Sequence, residues 1–184
     1  MKKSEIVIYT DGSSIGNPGP GGWGAVLLSF QQNDKLKIEN EKFKVIELGG
    51  REEESTNNRM EITGALEALR LVEKRKLGGK SIIVHSDSNY LIDGITGWIY
   101  LWMKNGWRTA AKGPVLNRDL WEALFKIENN LKIKYEIKWA KVKGHAGILL
   151  NERSDAIAVS FAAGKRCLLF TGNLKDYRRL FGGS

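Results

Sequence analysis

The succession of strand-like and helix-like segments along the chain, β-β-β-α-β-α-α-β-α, predicts an α/β fold. An antiparallel meander leads into crossovers, which gives a mixed sheet flanked by helices. Two observations carry this. Short runs with apolar and polar residues in alternation are bounded by glycine, proline and polar turns, the period of half-buried strands. Between them apolar residues recur three or four apart, the period of a helix with one buried face. At 184 residues the chain fits one domain, long enough to bury a core without disulfide or metal staples.

Taken in order, Glu5 to Thr10 alternates and forms the first expected strand. Trp23 to Phe30 reads as the second, after a glycine and proline turn, and Lys42 to Leu48 as the third. The connection Gln31 to Glu41 is polar and charged, as expected of a solvated hairpin tip. From Asn58 to Lys76 the residues Ile62, Leu66, Leu69 and Val72 mark one helix face, and Gly78-Gly79 is the expected stop. Ser81 to His85 is a short apolar strand leading to Asp87. Helical stretches are expected from Asn89 to Gly97, through the tryptophan-rich segment that follows, and from Leu116 to Asn129. Tyr135 to Val142 alternates again, with Tyr135, Ile137 and Trp139 on one side, and a last helix starts near Asn151. No internal repeat or interdomain linker interrupts the series.

Composition narrows the class of protein. A charged fraction of 27% and a hydrophobic fraction of 42% are those of an ordinary globular domain. The single cysteine, Cys167, excludes an intramolecular disulfide and is compatible with a reducing compartment. No signal-peptide core follows Met1, and no stretch approaches the roughly 20 apolar residues of a membrane span, so a cytoplasmic location without membrane association is expected. The net charge of +8 suggests a polyanionic partner. Its distribution sharpens that expectation. Between Trp98 and Arg118 stand Lys104, Arg108, Lys112 and Arg118 without an acid, interleaved with Trp98, Trp102 and Trp107. Between Gln31 and Glu54 acids outnumber bases. The positive field is therefore localised, as phosphate tracking requires.

Four carboxylates stand in distinctive settings: Asp11 in Tyr9-Thr10-Asp11-Gly12-Ser13, Glu61 in Thr56-Asn57-Asn58-Arg59-Met60-Glu61, Asp87 in His85-Ser86-Asp87-Ser88, and Asp155 in Asn151-Glu152-Arg153-Ser154-Asp155. Two follow expected strands and two open expected helices. The carboxyl ends of strands and the first turns of neighbouring helices can meet at one sheet edge, so these side chains can converge. All-oxygen donors favour Mg2+ or Mn2+, and a pair of such ions suits in-line displacement at a phosphodiester. Taken singly, each acid has a plainer reading: turn residue, first-turn dipole partner, helix start or surface acid. The loop Gly16-Asn17-Pro18-Gly19-Pro20-Gly21-Gly22 is no nucleotide cradle, since no lysine followed by serine or threonine closes it. His85, within a strand run, reads as structural or as a supporting neighbour of the acids.

The order of five motifs, namely Tyr9-Thr10-Asp11-Gly12-Ser13, the Gly16 to Gly22 loop, Thr56 to Glu61, Ser86-Asp87-Ser88, and Lys143-Gly144-His145-Ala146-Gly147 with Asn151 and Asp155, resembles ribonuclease H of type 1. This is the cellular enzyme that cuts RNA in RNA–DNA hybrids. The match runs from about Ile6 to Ala163. It implies a ribonuclease H-like fold, a five-stranded mixed sheet with helices on both sides, with a catalytic domain over residues 1–163. Residues 164–184 form an extension of unknown role, which either packs its apolar residues on the core or contacts a partner.

The resemblance also implies roles. Asp11, Glu61, Asp87 and Asp155 hold two Mg2+ ions, for which Mn2+ can substitute, with Asp11 bridging. His145 passes a proton to the leaving oxygen or assists product release. Asn17, Asn57 and Asn58 read the 2′-hydroxyl, Asn89 adds a further amide, and the glycines of the Gly16 to Gly22 loop allow a close approach to the minor groove. Tyr90 and Trp98 meet the DNA strand, and Thr56 with Asn117 lies near a DNA phosphate. The segment carrying Trp98, Trp102, Lys104, Trp107, Arg108 and Lys112 resembles a substrate-gripping handle. The chain departs from some relatives at Ala110, where serine is often found, at Glu54, where arginine can stand, and at Met103 and Gly113, where lysines can. The implied partner is an RNA–DNA hybrid and the implied state a monomer. Two other readings have to be met: a strand transferase or another nuclease of the same fold, and an inert hybrid-binding module. The hydroxyl-reading motifs and the handle oppose the first. The presence of all four carboxylates opposes the second.

Overall fold

A computed structural model describes residues 5–30, 43–144 and 146–182. Six strands, β1 (Glu5–Ser14), β2 (Gly19–Phe30), β3 (Phe43–Ser55), β4 (Ser81–Ser86), β5 (Glu136–Lys141) and β6 (Thr171–Asn173), form one sheet in the order β5-β4-β1-β2-β3-β6. The meander β1-β2-β3 and the β3–β6 pair are antiparallel, while β1–β4 and β4–β5 are parallel. The α/β mixed sheet is as expected, with one strand more than five. The additional strand, β6, comes from the segment beyond Ala163. The expected hairpin tip from Gln31 to Glu41 and His145 lie outside the described residues.

The helices are α1 (Asn57–Arg75), α2 (Asn89–Asp93), α3 (Ile99–Lys104), α4 (Arg118–Lys132), α5 (Leu149–Ala162) and α6 (Leu174–Phe181), with a π-helical turn, Gly94–Trp98, joining α2 to α3. Strand alternation divides them between two faces. Ile6, Ile8, Ala25, Leu27, Ile46, Ile82 and Val84 face α1, α2 and α4 in the larger core, with Ile62, Leu66, Leu69, Val72, Leu91, Trp121 and Leu124. Val26 and Val45 face the other way, onto Ile157 of α5 and onto Leu174 and Tyr177 of α6. No helix among the described residues is long and apolar enough to cross a membrane.

Several boundaries differ from expectation for identifiable reasons. β2 begins at Gly19 and β3 continues to Ser55, because Gly49, Gly50 and the acidic run after them keep pairing with Gly24, Trp23 and their neighbours. The ladder needs backbone groups, not side-chain alternation. Helix α1 stops before Gly78-Gly79: Lys76 takes a left-handed conformation (φ 49°), and its N–H and that of Leu77 cap carbonyls at Glu73 and Val72. The expected break at Gly97 is instead part of the π-helical turn. Gly94 in that turn touches the Trp121 ring, which fills the place any Cβ would need.

The C-terminal segment packs on the core. Asn173, Gly172 and Thr171 pair with Lys44, Val45 and Ile46. Asn173 caps α6 by accepting from the Asp176 N–H at 2.8 Å. Phe170, Tyr177 and Phe181 form an aromatic cluster with centroids 4.8–6.1 Å apart over Val26 and Val45.

Candidate functional site

Asp11 lies on β1, Glu61 in the first turns of α1, and Asp87 just beyond the end of β4. Each offers a carboxylate oxygen within 4.8 Å of the other two. What brings Glu61 over the strand is Gly12: any Cβ there would overlap the Glu61 backbone nitrogen and the Met60 carbonyl carbon, so helix and strand meet backbone to backbone. At Gly64, one turn further on, a Cβ would overlap the Thr10 side-chain hydroxyl.

The electrostatics are those of an acid cluster without enough counter-charge. Asp11 is 8% exposed and Glu61 4%. Burial, followed by the charges of Asp87 and Asp155, pushes the Asp11 carboxyl up to about 7, against the opposing N–H of Gly12, which donates to Asp11 Oδ1 at 2.8 Å. Burial, followed by the charges of Asp11 and Asp87, likewise raises Glu61 well above the usual carboxylate range. Glu61 Oε2 is buried with no hydrogen-bond partner. Two buried acids in this state can either retain a proton or gain a cation. An all-oxygen donor set with an orphaned, inward oxygen suits a hard divalent ion such as Mg2+ or Mn2+.

Asp155, on α5, is half-buried and stands beside the triad, close enough for its charge to raise both Asp11 and Glu61. Its approach depends on Gly22 and Gly24 of β2, where a Cβ would overlap the α5 backbone at Ala158 and Ser154. Gly144 lies on the other side of the cluster, its missing Cβ 2.6 Å from Asp87 Oδ2. The Val142 N–H donates to Ser86 O at 3.0 Å, so the segment leading to His145 is tied to the Asp87 end of β4. His85 stacks on Tyr9 with centroids 4.6 Å apart, and burial lowers its imidazole.

Several of the expected substrate-facing residues are linked to one another. Asn17 Oδ1 accepts from the Asn57 N–H at 3.3 Å, which joins the β1–β2 loop to the start of α1. Asn17, Asn57, Asn58 and Asn89 are exposed. Thr56 caps α1 by accepting from the Arg59 N–H at 3.3 Å. Tyr90 Oη accepts from Asn117 Nδ2 and from Trp121 Nε1, both at 3.3 Å, and donates to Leu116 O at 3.4 Å. Trp98, 39% exposed, meets Tyr90 edge-on with centroids 6.1 Å apart and Trp102 at 5.8 Å.

In the basic segment, Trp102 and Trp107 are half-buried against the larger core, and Arg118 sits over the Trp107 ring at 5.1 Å. These two tryptophans anchor the segment on the core, and Lys104, Arg108 and Lys112 are exposed. Arg108 Nη1 also donates to Lys112 O at 2.9 Å and so braces the loop.

Two arrangements escape sequence reasoning. Arg59 forks onto Asp119 (2.9 and 3.1 Å) and reaches Asn117 Oδ1 at 3.4 Å, tying α1 to α4 beneath the Thr56–Asn117 pair. Its only signal was its place inside the Thr56 to Glu61 motif. On the far face, Glu47 is buried against Arg153, Tyr177 and Phe170, partners more than 100 residues away with no shared periodicity.

Comparison with known proteins agrees with this arrangement. The RNase H family model matches residues 3–163. A ribonuclease H of Chelativorans sp. (strain BNC1) is 46% identical over 158 residues, covering 86% of this chain and 84% of the relative. One from Prochlorococcus marinus (strain NATL2A) is 44% identical over 177 residues, covering 96% of both chains. The crystal structure of LC9-RNase H1, described as a type 1 RNase H with the type 2 active-site motif, superposes with a TM-score of 0.75 at 25% identity, covering 97% of this chain and 82% of that one. The acid triad where α1 meets the sheet and a family match over most of the chain's length lead to one conclusion: the chain belongs to the RNase H family.

Proposed function

We propose that this chain is a metal-dependent endonuclease that hydrolyses the RNA strand of RNA–DNA hybrids, leaving 5′-phosphate and 3′-hydroxyl ends, and that it acts as a monomer in the cytoplasm. The observation that carries the reading is the under-neutralised triad of buried Asp11, buried Glu61 and half-buried Asp87, in a chain that also exposes Asn17, Asn57, Asn58, Asn89 and Trp98. Family membership supports it, since the relatives named above are ribonucleases H. Catalysis is assigned to residues 1–163, with residues 164–184 as an extension.

Asp11, Glu61, Asp87 and Asp155 would hold two Mg2+ or Mn2+ ions. Such ions, when bound, supply a water nucleophile at neutral pH and stabilise charge on the leaving oxygen. Asn17, Asn57, Asn58 and Asn89 present amides to the 2′-hydroxyls, which donate and accept and so distinguish RNA from DNA. Tyr90 and Trp98 offer aromatic surface to the DNA strand. Thr56 and Asn117 take a DNA phosphate. Lys104, Arg108 and Lys112 track the backbone above Trp102 and Trp107. His145 hands a proton to the departing 3′ oxygen or helps product leave.

The test presents one labelled strand as RNA–DNA hybrid, RNA duplex and DNA duplex, with and without Mg2+. Cutting is expected only of RNA paired with DNA and only with the metal. Equal cutting of the DNA duplex, or cutting in chelator, overturns the assignment.

A further inference from the structure

Glu47 is an acid in an unusual place. It is on β3, on the face turned to α5, and is 3% exposed. Its carboxylate is saturated by donors from two sources. Arg153 of α5 forks onto it, Nε to Oε1 at 2.7 Å and Nη2 to Oε2 at 2.9 Å. The C-terminal segment supplies the rest: Tyr177 Oη donates to Oε1 at 3.0 Å and the Phe170 N–H to Oε2 at 2.8 Å. Arg153 is held from above as well, by Leu168 O at 3.0 Å and by the Phe181 ring 4.4 Å from its guanidinium carbon. A bidentate pair with both oxygens satisfied has one geometry, and truncating either partner leaves a buried charge.

Arg153 is two residues from Asp155. On a helix that places their side chains about 200° apart around the axis, so they sit on opposite flanks of α5. Between them Gly22 and Gly24 meet the α5 backbone with no side chain of their own, and the contact next to them is the apolar one of Ile157 with Val26 and Val45. At the start of α5 Ile148 makes no side-chain cap, and Glu152 Oε1 accepts from the Gly147 N–H of the preceding loop at 3.0 Å, a bond within the loop–helix junction and not to the sheet. Arg51 holds only the far end, donating to the carbonyls of Phe161 and Ala162. In the first half of α5 the Arg153 fork is therefore the directional polar tie to the sheet, and it adds to the non-directional packing of Ile157 on Val26 and Val45. A carboxylate roughly 6 Å from the helix axis moves about 2 Å for a rotation of about 20°. Ligand sets tolerate only about 0.5 Å.

We propose that Glu47, Arg153 and Tyr177 are positioning residues: through them the segment after Ala163 locks the rotation of α5 and so fixes Asp155 beside Asp11 and Glu61. The inference rests on the reading of Asp155 as a metal ligand.

The experiment uses full-length protein and titrates Mn2+ calorimetrically into metal-free parent, Glu47→Gln, Arg153→Lys, Tyr177→Phe and Asp155→Asn, well below each unfolding midpoint. The Mg2+ concentration for half-maximal turnover is measured in parallel. Glu47→Gln keeps shape and loses charge, and Arg153→Lys keeps charge and loses the fork. Both are expected to weaken Mn2+ binding by roughly tenfold, the lower end of what indirect ligand supports contribute, and to raise the Mg2+ requirement in step. Tyr177→Phe, which removes one hydroxyl and keeps the packing, should give a smaller shift in the same direction, and it decides the matter if the other two fail to fold. A lowered unfolding midpoint with unchanged Mn2+ affinity in the folded variants overturns the proposal and leaves a plain structural anchor. Asp155→Asn separates the two levels. If it weakens binding and the anchor variants do not, only the positioning role falls; if it too is silent, the ligand reading falls with it.

Discussion

Replacing Asp11 by Asn should abolish turnover and, in the absence of metal, make the protein more stable. The Asp11 carboxyl is raised from 3.8 to about 7 by burial and by the charges of Asp87 and Asp155. In the unfolded chain the same group loses its proton near 4. Between these values the folded state binds the extra proton, so stability falls as pH rises through about 4 to 7 and stays low above it. At about 1.4 kcal/mol per pKa unit, the ionised side chain costs the folded protein up to about 4 kcal/mol at pH 8. Asparagine has the same shape, can still accept the Gly12 N–H and carries no charge. Allowing for imperfect hydrogen bonding of its amide, we expect a gain of about 2 to 4 kcal/mol, or roughly 5–15 °C in unfolding midpoint for a chain of this size. At pH 4 the gain should vanish, because the parent is protonated there. The assay is thermal unfolding of both proteins in EDTA from pH 4 to 8.5, repeated with Mg2+. Metal should raise the midpoint of the parent by mass action and narrow the gap. A variant no more stable than the parent at pH 8 in EDTA, or equally stabilised at pH 4, refutes the reading of Asp11 as a strained, ionisable member of the cluster.

Three further outcomes are expected. His145→Ala should slow turnover without abolishing it, losing part of the roughly 10²–10⁴-fold that assisted proton transfer contributes, and the loss should shrink as pH rises; single- and multiple-turnover rates equal to those of the parent would show that His145 takes no part. Neutralising Lys104, Arg108 and Lys112 together should raise KM and reduce the log–log salt slope of hybrid binding by roughly one unit for each phosphate no longer neutralised. An unchanged slope would mean that these charges only face solvent. Gly24→Ala should cost about 1–3 kcal/mol by forcing α5 off the sheet at Ser154 and should impair turnover through Asp155; chemical denaturation and a rate assay at saturating Mg2+ check both.

How much of this could be read in the sequence depended on the range of each interaction. The α1 face was legible because Ile62, Leu66, Leu69 and Val72 repeat within a single helix, and all four are buried or nearly so against β1 and β2. The acids were legible because each stands in a short, ordered motif, and three of them converge. Asp155 could be assigned to the neighbourhood, but its distance from the triad depends on backbone contacts at Gly22 and Gly24 that no side-chain pattern records. The end of α1 was legible to within one residue, although the left-handed turn that closes it is made by Lys76 and not by a glycine. The far end of β3 was missed because Gly49-Gly50 and the charged run after them look like a loop, whereas they pair in register with Gly24, Trp23, Gly22 and Gly21 of β2. Strand β6 has three residues, too few for a period. The Glu47–Arg153–Tyr177 arrangement joins positions 106 and 130 residues apart, and its members look like ordinary surface charges until the chain folds.

The short pairing of β6 with β3 has a consequence for solubility. An outer strand with open N–H and C=O groups and apolar side chains invites another copy of the chain to add to it. In β3 that hazard is confined to the end containing Val45 and Ile46, and Thr171 to Asn173 occupy that stretch. The remainder runs through Arg51, Glu52, Glu53 and Glu54, where clustered charge discourages a second strand from docking. Three residues of chain thus cover the one part of the edge that its own sequence leaves open to aggregation.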